Sequence, residues 1–199
     1  HFSVQEYYWK RIYEKHGFDI DIPSDLGVNY NFILDKESKR LIELFGKTNK
    51  KKVLIFNQKA RSGQADNQDY KSYLVRVANI FSECDFLYTN EEDIDNKLIV
   101  DNNLFHTPSI FGNYDCDIIH NSYLSLYCDI IVGRANGPFM FGAMHNKNIL
   151  DENKIIISQH NGNERKDDLE IYFNRNIYKA RNIHSKVTQQ TFSILEELL

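Results

Sequence analysis

Ile130-Ile131-Val132 is a run of β-branched residues suited to a strand covered on both faces, as strands are inside a parallel sheet. Gly133 ends the run, Asn136-Gly137 turns the chain, and Pro138 suits the first turn of a helix. Strand, tight loop and helix start therefore follow one another within about ten residues. In open α/β sheets ligands bind outside the carboxyl ends of strands. Backbone N–H groups at a helix start favour an anion, and Arg134 places a cation beside them.

Lys52-Val53-Leu54-Ile55-Phe56 repeats the pattern. It runs into a loop, Asn57 to Asn67, that carries Lys59, Arg61, Ser62, Gly63 and several side-chain amides. Lys59 and Arg61 suit a diphosphate, and Ser62 with the Gly63 backbone permits close approach. The competing reading is a solvated loop with an Asx-turn at Asp66-Asn67. The loop is no P-loop, because its lysine precedes the glycine, and it lacks the Gly-x-Gly-x-x-Gly dinucleotide pattern. A helix over 69–83 follows, with Tyr73, Leu74, Val77, Ile80 and Phe81 at helical spacing.

Further strands are predicted at Asp85 to Tyr88, Leu98 to Val100 and Lys154 to Ile157, with helices over 115–127 and 138–146. Upstream, helices are predicted over 2–15 and 36–45, with a short strand near 30–34. A loop is predicted at 162–166, and 169–199 reads as largely helical. This alternation predicts an α/β fold: a Rossmann-like, mostly parallel sheet with helices on both faces, an N-terminal helical extension and a long C-terminal helical tail. The corresponding division is 1–50 as extension or linker remnant, 51–168 as the ligand-binding domain, and 169–199 as the helical segment beside it. At 199 residues the chain is long enough to bury a core without disulfides or a metal.

The segment from Val53 to Ser158 resembles the C-terminal half of a GT-B glycosyltransferase. It is most similar to heptosyltransferase-like and O-fucosyltransferase-like bacterial sugar transferases. The residues that carry the likeness are Val53 to Asn57, Ser62 to Asn67, and Ser122 to Phe139, where a helix leads through Cys128-Asp129 into an apolar strand, a glycine and a Gly-Pro turn. Asn136 stands where such enzymes usually have serine. The likeness covers a little over half the chain and lies in loops rather than catalytic signatures. It implies a nucleotide-sugar donor site with Asn57, Ser62, Gly63, Gln64, Asn67, Asn136 and Gly137 near the diphosphate or sugar. Lys59, Arg61 and Arg134 would balance the charge of the leaving diphosphate. The polar stretch from Asn102 and Asn103 to Ser109 would hold base and ribose.

In such enzymes the general base generally comes from a separate acceptor domain, and 1–50 is too short to be one. The sequence therefore names no catalytic base, and a missing acceptor domain or a homo-oligomer through the C-terminal helix is the implied partner. The alternative function is a non-catalytic nucleotide or sugar-phosphate binding module within a larger assembly. An epimerase-like sugar-nucleotide enzyme is a third reading. No cofactor is called for. The seven histidines show no metal-ligand spacing. The net charge of −4 argues against a nucleic-acid partner, and no run of about 18 apolar residues would span a membrane. Cys84, Cys116 and Cys128 form an odd set read as reduced thiols, which predicts a cytoplasmic protein.

Overall fold

The computed structural model describes residues 35–59, 65–89, 100–111, 118–143, 145–160 and 179–199. In chain order these form α1 (Lys36–Gly46), β1 (Lys51–Phe56), α2 (Lys71–Ile80), β2 (Cys84–Thr89), β3 (Leu104–His106), α3 (Thr107–Ile110) and α4 (Ile118–Ser125). Then come β4 (Ile130–Arg134), α5 (Gly137–Ala143), α6 (Asn146–Ile149), β5 (Ile155–Gln159), β6 (Arg181–Ser185) and α7 (Thr188–Leu198). The expected elements at 2–15, 30–34, 162–166 and 169–178 lie outside the described residues, as does Cys116.

The six strands form one sheet in the order β3-β2-β1-β4-β5-β6, every neighbouring pair parallel. The α/β, Rossmann-like expectation is met. Strand alternation explains how the sheet is covered. Val53, Ile55, Ile130, Val132 and Ile157 share one core with Leu74 and Val77 of α2 and Phe192 and Leu195 of α7. Leu54, Phe56, Ile131 and Ile156 face the other way, against Ile42 of α1, Leu124 of α4, and Phe139 and Ala143 of α5. Each such side chain contributes about 1.5–3 kcal/mol by leaving water, so both helical layers are held by the same two apolar strands at the sheet centre.

Three details differ from the sequence reading. Gly133 does not end β4; it lies inside it, paired with Ser158 of β5 and Phe56 of β1. The third described strand is Leu104–His106; of the strand expected at 98–100 only Val100 is described, outside any strand and 78% exposed. The C-terminal helix is present as α7, but residues 181–185 add a sixth strand ahead of it. That strand is Arg-Asn-Ile-His-Ser at the sheet edge, half-buried, so it shows no apolar run.

Candidate ligand site at the sheet switch point

The chain builds β1, β2 and β3 outward in one direction, then crosses back to lay β4 on the other side of β1. Strand order reverses between β1 and β4, the place where open α/β sheets bind their ligands. Phe56 and Gly133 are register partners at that point. The loops that the sequence singled out, after β1 and after β4, thus emerge side by side.

Arg134 joins them. It is the last residue of β4, and alternation turns it to the same face as Ile130 and Val132. It is wholly buried, with its guanidinium 3.9 Å from the centre of the Tyr70 ring. Nε donates to the carbonyl of Asp66 at 2.7 Å. One terminal nitrogen lies 3.3 Å from the Asn57 carbonyl and 3.5 Å from that of Gln58, and the other donates to the Gln68 carbonyl. The sequence reading placed this head in the open cleft. Instead it braces the underside of the β1 loop, because a planar fork of five donors can satisfy several inward-turned carbonyls at once. Burial pulls its pKa down most strongly, and the Tyr70 hydroxyl, Asp66 and Asp69 oppose that shift.

Asn136 ties the loops from above. Its side-chain nitrogen donates to the Gln58 carbonyl at 3.0 Å, while its oxygen accepts the Phe139 N–H at 3.1 Å and so caps α5. The Met140 N–H goes to the Asn136 carbonyl at 2.9 Å, and Pro138 has no N–H to give. Among the described residues Gly137 is the first-turn amide left without a partner. Gly137 is exposed, and a Cβ there would meet nothing within 4 Å.

The remaining expected site residues divide clearly. Lys59 and Asn67 are exposed on the loop, and Asn57 is buried beneath it, its side-chain nitrogen 3.5 Å from Asp69 Oδ1. Arg61, Ser62, Gly63 and Gln64 lie outside the described residues. Asn102 and Asn103 do not join Ser109. They precede β3, at the amino edge of the sheet, whereas Ser109 follows it at the carboxyl edge and bonds His106 Nδ1 at 3.0 Å. Asn103 is buried and donates to the carbonyls of Ala78, Phe81 and Cys84, which makes it a cap on the α2–β2 connection. A base and ribose subsite built from these three residues is not formed.

Sequence reasoning missed a polar ring behind the loop. The Tyr70 hydroxyl donates to Gln159 Oε1, Gln159 Nε2 lies 3.4 Å from Thr188 Oγ1, and Thr188 Oγ1 donates to Asp66 Oδ1 at 2.8 Å. Tyr70, Gln159 and Thr188 are each fully buried. A glutamine ending an apolar strand was the one visible signal. The Asx-turn of the competing solvated-loop reading is present, with the Gln68 N–H donating to Asp66 Oδ1 at 2.9 Å.

Partial burial pushes the Asp66 carboxyl up, but bonds from the Thr188 N–H and hydroxyl, then the Gln68 N–H and the Arg134 charge, outweigh it and hold its pKa below the ordinary range. A depressed folded-state pKa stabilises the fold above the unfolded value and loses that contribution as pH falls through the folded one. Asp66→Asn should therefore unfold more easily than the wild type near neutrality. The gap should close in acid, below about pH 4. Denaturant titrations at several pH values would check this, and a gap that widens in acid would refute it.

Cys84 and Cys128 are free and buried, and burial pushes the Cys128 thiol up to about 12. Among the described residues no group of three or more His, Cys, Asp or Glu could hold a metal, and no helix is long and apolar enough to cross a membrane.

No protein-family model matches the chain, and no curated protein matches it.

Proposed function

We propose that the crevice between the carboxyl ends of β1 and β4 binds the diphosphate of a nucleotide-sugar, and that the chain is the donor-binding half of a glycosyltransferase acting in glycan assembly. The observation that carries this reading is the joining of the two loops at the switch point. Arg134 and Asn136, both from β4 and its loop, bond carbonyls of the β1 loop. The open Gly137 amide and the exposed Lys59 would meet the phosphates. A departing nucleoside diphosphate gains negative charge, and such donors would stabilise it.

Calorimetry with UDP, GDP, ADP and CDP should show at least one binding well ahead of its nucleoside. Equal or undetectable binding across both series would remove the reading. Gly137→Leu gives a steric test, because the added side chain enters open space beside the proposed phosphate position. It should abolish diphosphate binding while changing stability by less than about 0.5 kcal/mol. Unaltered affinity would move the ligand elsewhere.

A non-catalytic binding module is favoured by one observation. Among the described residues, the two carboxylates of the β1 loop are both committed, Asp66 to Thr188 and Asp69 to the Lys71 N–H. Nucleoside diphosphate released from a nucleotide-sugar would support the transferase; tight binding without release or transfer would support the module.

A further inference from the structure

We infer that α7 sets the shape of the β1 loop through an Asp66–Thr188 latch, with both residues acting as positioning residues for the ligand site. Helix α7 begins at Thr188 behind Val187, whose side chain cannot cap it. The missing cap comes from elsewhere in the chain. Asp66 Oδ2 accepts the Thr188 N–H at 2.9 Å, and Oδ1 accepts the Thr188 hydroxyl at 2.8 Å. Gln190 Oε1 accepts the Lys186 N–H at 2.8 Å, one residue ahead of the cap position.

The same residue is gripped from its other side, since the Asp66 carbonyl takes the Arg134 Nε–H. Asp66 is thus the place where the loop is bolted to β4 below and to α7 beside it. Gln159 extends the connection to β5. The carboxylate oxygens already serve Thr188 and the Gln68 N–H, so Asp66 acts by holding the loop rather than by taking a proton from substrate. Loop geometry and α7 docking then share one free energy. A ligand that favours the latched loop geometry must tighten the start of α7, and loosening α7 must weaken the ligand by the same factor.

The ligand half of this inference rests on the proposed diphosphate site; the latch does not. Hydrogen exchange on the full chain compares wild type, Asp66→Asn, Thr188→Val, Thr188→Ser and the Asp66→Asn/Thr188→Val double variant. Either single change should speed exchange in both 65–69 and 188–192, and the double variant should add little to the larger single effect. Thr188→Ser keeps the hydroxyl and should stay close to wild type. It also keeps the test meaningful if Thr188→Val folds poorly. UDP or GDP, whichever binds, should slow exchange at 188–192, and each single variant should weaken its binding about tenfold, the equivalent of one charge-assisted hydrogen bond. Exchange that changes only in the substituted segment overturns the latch. Coupled exchange with unaltered diphosphate affinity overturns the positioning role. Coupled exchange with no diphosphate bound by the wild type leaves the latch standing and overturns the ligand reading.

Discussion

Arg134→Ala should lower stability by about 3–5 kcal/mol, the range for breaking a buried, charge-bearing network by deleting one partner. For a chain of this size that corresponds to a fall of roughly 6–20 °C in Tm. The substitution leaves inward-facing carbonyls of Asp66, Asn57 and Gln68 without their donor, empties the space over the Tyr70 ring, and removes the positive charge beside Asp66. Arg134→Lys should recover little, because a single ammonium cannot reproduce a planar fork that bonds several carbonyls while stacking on a ring. Thermal denaturation of both variants checks the claim. A fall below about 2 °C for Arg134→Ala would mean that the loop carbonyls turn to water instead.

Gly133→Val should be the second severe change. An ideal Cβ at Gly133 would lie 2.5 Å from Phe139 Cδ2 and 2.9 Å from Phe56 Cβ. Phe139 could swing aside, but Phe56 Cβ is fixed to the backbone of β1 and cannot retreat without moving the strand. Overpacking of this kind costs about 1–3 kcal/mol and sometimes more. The same clash would lift α5 off the sheet and shift Asn136 from the Gln58 carbonyl. A double-mutant cycle separates the causes. Gly133→Ala combined with Phe139→Leu should cost less than the sum of the two, since the smaller side chain frees the space that the new methyl needs. Simple additivity would show that the two positions do not press on each other.

Much of this architecture is readable from the chain, and the reason is local. Val53 to Phe56 and Ile130 to Val132 are apolar on both faces because they lie at the sheet centre, so their burial is written into a few consecutive residues. The loops that leave them are polar and glycine-bearing, which marked the carboxyl edge. The unread features depend on partners far away in sequence. Nothing near Arg134 announces that loop carbonyls will turn inward to meet it. Nothing near Thr188 announces a carboxylate from position 66. Strand β6 was hidden because an edge strand needs only one covered face, and Arg181 to Ser185 is accordingly mixed in character. The apparent base and ribose residues failed for a related reason: a three-residue strand separates Asn103 from Ser109 and sends them to opposite edges.

The separation between Asp66 and Thr188 also bears on the order in which this protein matures. The β1 loop is made well before its closing partner, which lies 122 residues further on. Contacts of such long range form late, after the entropy of closing the intervening loop has been met. A chain emerging from the ribosome should therefore assemble β1, β2 and β4 while Asp66 is still waiting. Arrested nascent chains ending before residue 188 are expected to show a protected sheet centre and an unprotected β1 loop. The β1 loop would then take its final geometry after the sheet centre has formed, when α7 arrives.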